Sequence, residues 1–281
     1  MKTGLVLEGG AMRGIYTAGV LDVFLDYQIT FDGVIGVSAG AIHGCSYVAG
    51  QKGRSIRYYR KYSKDKRFMS FYSLLRTGDI VGEKFCYHDI PEWLDPFDHE
   101  AFLKSDTDFY VTCSNVETGK PEYIKVTNML EEVDLVRASA SMPYVSRIVS
   151  FKGKKLLDGG CTDSIPVRAF QKLGYDKCVA VLTRDEKYRK KPENVKLPGI
   201  IYHRYPEFAK AICERHLTYN RTIDDIKKME KAGEIFVIRP SVELTIGRME
   251  HDPEKIQAVY DIGRKDGENR IGQMMKWLGQ N

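Results

Sequence analysis

The sequence lacks several features that would assign it to a specialised class of protein. Its six cysteines are widely spaced without a CxxC pair, and no apolar run approaches the roughly 18 residues of a membrane span. The net charge of +5 is not concentrated, because basic and acidic side chains are interspersed along most of the chain. We therefore expect reduced cysteines in a soluble cytoplasmic protein, and the charge pattern argues against a dedicated nucleic-acid binder.

Three further absences concern organisation and targeting. The chain shows no internal repeat and no low-complexity linker, so nothing divides it into an array or into separate modules. The apolar stretch at the N-terminus is interrupted by Glu8 and two glycines, which makes it too short for the core of a signal peptide. A length of 281 residues allows one or two domains with a sizeable core.

What is present is an alternation of apolar strands and helices, beginning with "GLVLE", a helix over 14–27, "FDGVIGV" and a helix over 39–49. Such alternation predicts parallel strands with crossover helices. Further along, 108–126 is predicted as a hairpin, "DKCVAVLT" and "EIFVIRP" as strands, and 253–278 as a helix. We expect loops near 91–98 and 184–196, the second exposed and able to act as a lid, and a long helix over 206–233 in which one break is allowed.

The segment "GVIGVSAGA" places Ser38 between Gly36 and Gly40, directly after an apolar strand and at the start of a helix. This is the context of a nucleophile elbow, in which glycines let the strand and helix approach while the serine is held exposed in a strained turn. A packing turn rich in glycine would give the same bare pattern. The segment therefore predicts a nucleophilic serine only together with other motifs.

The opening stretch "GLVLEGGAMRGIYTAG" supplies a second glycine turn, where small residues leave backbone N–H groups free to face an anion. A dinucleotide motif would need glycine at position 11, and a phosphate-binding loop would need Lys and a hydroxyl where Ile15 and Tyr16 stand. An oxyanion formed during acyl transfer fits the turn better. Two such turns at the ends of adjacent parallel strands would face each other across the sheet edge.

A serine nucleophile needs a base, and the sequence offers two candidates. Asp158 ends a strand in "LLDGGCTDSIPV", where the following glycines permit close approach, although a plain Asp-Gly turn would look the same. His251 is the most plausible histidine base. The other histidines fit structural or solvated positions better, and these are His43, His88, His99, His203 and His216.

Together, "GGAMRG", "GVSAG" and "DGG" resemble the patatin-like phospholipase family, and "ASASMP" over 138–143 is similar to the family's small-residue stretch before the aspartate. The resemblance covers about 3–183 and implies Ser38 as nucleophile, Asp158 as base and no catalytic histidine. Arg13 matches the family's basic residue, which supports the turn, approaches a lipid phosphate or forms a salt bridge. The residues assigned to the oxyanion hole are Gly9, Gly10, Ala11, Met12, Arg13 and Gly14, with Ala11 replacing the usual third glycine.

The resemblance implies a three-layer α/β/α fold with a mainly parallel sheet, in a single domain over 1–281. The helical region over about 184–281 matches no motif of the family. The expected function is hydrolysis of acyl esters of lipids, phospholipase- or lysophospholipase-like, without a metal or organic cofactor. A general carboxylesterase, a thioesterase and a catalytically silent lipid-binding protein are the alternatives.

The segment from Arg54 to Phe71 carries seven basic residues interleaved with aromatic ones, in "RSIRYYRKYSKDKRFMSF". Basic side chains near an anionic membrane contribute roughly 1 kcal/mol each. The segment predicts peripheral contact with an anionic lipid surface. The alternative is a solvated helix whose tyrosines pack inward.

Overall fold

The computed structural model describes residues 1–193 and 196–279. Within them the strands form one sheet with the order β5-β6-β3-β2-β1-β7-β8, and β4 pairs with β3. The strands are β1 Thr3–Leu7, β2 Gly33–Val37, β3 Asp108–Asn115, β4 Lys120–Val126, β5 Val149–Phe151, β6 Lys154–Asp158, β7 Lys177–Val181 and β8 Ile235–Ile238. The pairs that link β3, β2, β1, β7 and β8 are parallel. The predicted mainly parallel sheet is confirmed, with antiparallel hairpins at one side.

Helices cover both faces of the sheet. They are α1 Gly14–Asp26, α2 Ala39–Val48, α3 Arg54–Tyr62, α4 Phe71–Thr77, α5 His99–Lys104, α6 Met129–Ser139, α7 Val167–Lys172, α8 Lys196–Ile201, α9 Pro206–Lys231 and α10 Pro253–Leu278. Successive side chains of a strand point to opposite faces, so Leu5 and Leu7 join the core formed with α1, α2 and α10, whereas Val6 joins that formed with α7 and α9. The fold is thus a three-layer α/β/α arrangement, as predicted.

The region after Arg184 continues this arrangement. Strand β8 pairs in parallel with β7, and α10 packs along α1. No described helix is long and apolar enough to cross a bilayer.

Three local details differ in part from the predictions. Only 95–98 of the predicted loop over 91–98 is irregular, because Pro91 lies inside a π-helical stretch, Phe85–Leu94. Helix α9 runs through without the break that the sequence allows. Residues 184–193 are non-helical, but they are not simply exposed, since Arg184, Tyr188 and Lys190 are half-buried. Residues 194 and 195, which also belong to the predicted loop, lie outside the described residues.

Candidate active site

Ser38 lies in the turn between β2 and α2 with φ 55° and ψ −120°, a conformation unfavourable for any residue except glycine. The flanking glycines allow this turn to pack tightly. A Cβ on Gly36 would lie 2.5 Å from the Cα of Ala41, and one on Gly40 would lie 2.5 Å from the carbonyl oxygen of Leu7. The local geometry is therefore that of a nucleophile elbow.

The register of β3 brings Ser38 and Asp158 together. Val37, the last residue of β2, lies opposite Thr112, whereas Asp158, the last residue of β6, lies opposite the next residue, Cys113. Strand β4 pairs with β3 along one edge, so β2 and β6 both pair with the other edge of β3. Strand β6 runs antiparallel to β3. Strands β2 and β6 consequently meet end to end, and the residues at their ends become neighbours.

Ser38 and Asp158 are in direct contact. The Ser38 hydroxyl donates to Oδ2 of Asp158 at 2.7 Å, and the N–H of Gly160 donates to Oδ1 at 2.7 Å. Both residues are almost buried, with 7% and 6% of their surface exposed. Burial raises the pKa of Asp158, although the nearby Arg215 guanidinium and the hydrogen bond from Ser38 partly oppose this rise. The carboxylate is thus a stronger base than an exposed aspartate.

Ser139, at the end of α6, holds the backbone of the elbow. Its hydroxyl accepts a hydrogen bond from the N–H of Ser38 at 2.8 Å and donates one to the carbonyl of Thr112 at 2.7 Å. In the sequence, 138–143 stands out only as a small-residue stretch, and this contact is not predicted. The stretch itself is the available signal, since the short hydroxyl side chain of Ser139 bridges two backbones.

The glycine turn after β1 forms a short 3-10 turn, Ala11–Arg13, beside Ser38. Among the described residues, the N–H groups of Gly10, Ala11 and Met12 donate to no backbone acceptor, whereas those of Gly9, Arg13 and Gly14 are engaged. Ala11 has φ 48°, the left-handed region that glycine adopts without strain. Three of the six predicted donors are therefore free to bind an oxyanion.

No histidine is placed to act as the base. All six are described, and none lines the cavity that contains Ser38. His43 is buried with Nδ1 2.9 Å from the Ser55 hydroxyl, and burial lowers its pKa to about 3. His251, the histidine candidate from the sequence, places Nδ1 2.6 Å from the carbonyl oxygen of Ser63.

A cavity of about 300 Å³ opens above Ser38 and Asp158. Its wall combines the glycine turn, the segment 142–145 and residues 184–193 with Ile212, Arg215 and Tyr219 of α9. Helix α9 carries no recognised motif, and its contribution to this cavity is not predicted from the sequence. Within the described chain, no group of three His, Cys, Asp or Glu side chains is arranged to hold a metal ion.

Comparison with known proteins agrees with this geometry. A family model described as patatin-like phospholipase matches residues 5–170, which include the glycine turn, the elbow and Asp158. The chain belongs to this family. A second model, described only as a domain of unknown function, matches residues 205–279 of this patatin-like protein. That range begins at helix α9 and extends through α10.

Among curated relatives, the uncharacterised protein YjjU of Escherichia coli is 30% identical over 188 residues, covering 65% of this chain and 52% of that protein. Lysophospholipase nte1 of Aspergillus oryzae is 23% identical over 288 residues, covering 97% of this chain and 18% of that protein. The patatin-like chain thus spans about half, or less, of these relatives. VipD of Legionella pneumophila is similar in structure with a TM-score of 0.48 and 13% identity, over 97% of this chain and 67% of that chain.

Proposed function

We propose that this patatin-like protein is a serine hydrolase that cleaves fatty acyl esters of lipids, with phospholipids or lysophospholipids as the substrate class. The observation that carries the proposal is the 2.7 Å hydrogen bond from the strained Ser38 to the buried Asp158, beside a turn with free N–H groups. The name of the nte1 relatives, lysophospholipase, supports the same chemistry.

In the proposed mechanism, Asp158 accepts the hydroxyl proton as Ser38 Oγ bonds to the ester carbonyl carbon. The carbonyl oxygen becomes an oxyanion, and the N–H groups of Gly10, Ala11 and Met12 bind it. When the carbon–oxygen bond to the alcohol breaks, Asp158 returns the proton to the leaving alcohol. Water then attacks the acyl-enzyme by the same steps, releasing the fatty acid and regenerating Ser38.

An apolar pocket beside the nucleophile supports a fatty acyl substrate. This pocket of about 60 Å³ is bounded by Ser38 and by apolar side chains that include Ile42, Tyr58 and Cys86. The same three side chains also line a neighbouring pocket of about 80 Å³ that extends toward Leu130. Together the pockets mark a path for a flexible hydrocarbon chain leading away from Ser38.

We also propose that residues 1–281 act as one catalytic unit in the cytoplasm. The single sheet, the packing of α10 on α1 and the contribution of α9 to the cavity support one unit. The cysteines are free thiols, and burial raises the pKa of Cys45 to about 11 and that of Cys161 to about 12. Such buried, protonated thiols suit a reducing compartment.

For peripheral membrane contact, the predicted basic segment offers less free charge than its composition indicates. Tyr58, Tyr59 and Tyr62 pack inward. All four arginines of this segment pair with a carboxylate, and they are Arg54, Arg57, Arg60 and Arg67. The exposed remainder is Lys61, Lys64 and Lys66, followed by helix α4 with Phe71 and Leu75, 65% and 89% exposed.

We propose that these lysines and α4 contact an anionic bilayer, since Phe71 also lines the catalytic cavity. Leu75→Asp should weaken sedimentation with anionic vesicles, whereas Leu103→Asp, at another exposed leucine, should not. Equal binding of the wild type to neutral and anionic vesicles, or no dependence on salt, would contradict the contact.

The hydrolase proposal is tested by labelling with a fluorophosphonate, followed by intact-mass measurement and peptide mapping. We expect one adduct, on Ser38, and none in Ser38→Ala. Release of fatty acid from a long-chain lysophospholipid, compared with short-chain nitrophenyl esters and acyl thioesters, separates a lipid hydrolase from a general esterase or thioesterase. An adduct on another residue would contradict the assignment, and no adduct together with lipid binding would indicate a silent lipid-binding protein.

A further inference from the structure

The wall of the catalytic cavity carries an excess of positive charge. Five cationic side chains line the cavity, against three carboxylates, which are Glu8, Asp158 and Glu193. The cations are Arg13, Arg184, Lys190, Arg215 and Arg248. They come from the glycine turn, from the segment after β7, from helix α9 and from the loop before α10.

The three carboxylates balance only part of the charge of the five cations. Glu8 accepts hydrogen bonds from the Tyr219 hydroxyl at 2.7 Å and from the N–H of Thr183 at 2.6 Å. Asp158 accepts hydrogen bonds from the Ser38 hydroxyl and from the N–H of Gly160. Glu193 lies 3.8 Å from Nη1 of Arg215. Glu193 thus pairs with Arg215, whereas Glu8 attracts Arg13 and Lys190 without a direct ion pair. Five cations against three carboxylates leave an excess of positive charge in the cavity.

Arg13, Arg184 and Lys190 form no salt bridge with any described residue, and Nε of both arginines is buried without a hydrogen-bond partner. By contrast, two other half-buried arginines have acidic partners: Arg137 pairs with Asp134, and Arg239 with Glu230. Buried polar groups without partners are costly and in native proteins point to a missing ligand or water. The wall is thus complementary to an anion.

The cations also perturb one another. Burial, together with the neighbouring Arg215, lowers the pKa of Lys190 to about 8. Burial and the neighbouring Arg184 lower the pKa of Arg13. An anion bound among these side chains would relieve both the desolvation and the mutual repulsion.

We infer that Arg13, Arg184 and Lys190, with Arg215 beside them, form a subsite for the phosphate of a glycerophospholipid headgroup. This inference rests on the proposed hydrolase function and names its substrate class more closely. Guanidinium groups bind phosphate oxygens in a bidentate manner, and an ammonium group adds a compact charge. The short glycerol backbone of such a lipid joins its acyl ester to its phosphate, and one cavity contains both Ser38 and the cations.

The subsite disfavours a choline headgroup. Quaternary ammonium groups bind to the faces of aromatic rings, but protein cations lie over the two tyrosines beside the subsite, Tyr188 and Tyr219. The guanidinium of Arg184 lies 4.0 Å from the ring centre of Tyr188, and the ammonium of Lys190 lies 4.9 Å from that of Tyr219. We therefore assign the subsite to a phosphate without a quaternary ammonium, such as a phosphomonoester.

Helix α9 holds the subsite together, which gives a role to the region of unknown function. The side chain of Asn220 accepts from the N–H of Lys190 at 2.9 Å and donates to its carbonyl at 3.0 Å. Arg215 donates from Nε to the carbonyl of Gly160, whose N–H binds Asp158. Arg215 and Gly160 thus connect the phosphate subsite to Asp158, the proposed base.

The experiment measures fatty acid release from lysophosphatidic acid, lysophosphatidylcholine and monoacylglycerol with the same acyl chain, in identical mixed micelles. We expect kcat/KM for lysophosphatidic acid to exceed that for the other two lipids by about 10-fold or more. This is the factor that one additional charge-assisted hydrogen bond contributes. Lys190→Gln should bring the ratio toward one, and Lys190→Arg should largely preserve it. Lys191→Gln, an exposed control with the same charge change, should leave the ratio unchanged.

A second measurement, independent of turnover, is the shift in Tm caused by inorganic phosphate, expected for the wild type and reduced in Lys190→Gln. Equal cleavage of all three lipids without this shift would overturn the subsite while leaving the hydrolase intact. Equal cleavage with the shift would assign the site to free phosphate and overturn the headgroup assignment. A preference for lysophosphatidylcholine would also overturn it. If none of the three lipids is cleaved, the hydrolase function itself is contradicted. In that case the Tm shift with inorganic phosphate alone would show whether the cations bind an anion.

Discussion

Replacement of Asp158 by Asn tests the proposed chemistry most directly, because it keeps the size of the side chain and removes only its ability to take a proton. The Asn carbonyl oxygen can still accept from Gly160, so the turn after β6 has no reason to rearrange. A general base contributes typically 10²–10⁴-fold to the rate. No histidine lines this cavity to replace it, so we expect a loss at the upper end of that range.

The assay is single-substrate turnover of a long-chain lysophospholipid by the wild type, Asp158→Asn, Ser38→Ala and the double variant. Since the two residues act as a unit, the double variant should be little worse than either single one. Asp163→Asn is a matched control, because Asp163 is also an aspartate whose pKa burial raises but it binds Tyr123 instead of Ser38. Turnover by Asp158→Asn within about 10-fold of the wild type would refute the reasoning.

The same variant should not lose stability at neutral pH. Burial raises the pKa of Asp158 in the folded state above its value in the unfolded chain. The protonated side chain therefore contributes to folding stability below the unfolded pKa of about 3.9, and this contribution is lost as the pH rises through the folded pKa. At pH 7 the ionised carboxylate opposes folding. We expect the Tm of Asp158→Asn to equal or exceed that of the wild type, with the difference shrinking on acidification. A clearly lower Tm at pH 7 would contradict this sign.

Three further outcomes are expected. Gly10→Val should lower turnover by about 10²-fold, because its Cβ would lie 2.7 Å from the Thr183 hydroxyl and displace the oxyanion donors; unchanged turnover in folded protein would reduce the glycine turn to a packing feature. His251→Ala should retain substantial activity in the same assay, and inactivity equal to that of Ser38→Ala would indicate a histidine base instead. The pH profile of kcat/KM should fall on the acid side through an ionisation above the usual aspartate value of about 3.9, and an acid limb at or below that value would contradict the raised pKa of Asp158.

The sequence by itself determined the features that depend on neighbouring residues. The alternation of strands and helices predicted the parallel sheet, and the glycines around Ser38 predicted the tight turn between β2 and α2. These predictions hold because steric limits on the backbone and the burial of alternate side chains act over only a few positions. The family resemblance then singled out Asp158, although a bare Asp-Gly turn would not have done so.

Only the tertiary structure decided which distant groups meet. Ser38 and Asp158 are 120 positions apart, and their contact follows from the register of two strands along β3. Ser139 binds the elbow because α6 ends beside it, and the cationic wall gathers residues from 13 to 248. Local propensities encode none of these contacts, because the free energy that fixes them comes from packing of the whole core.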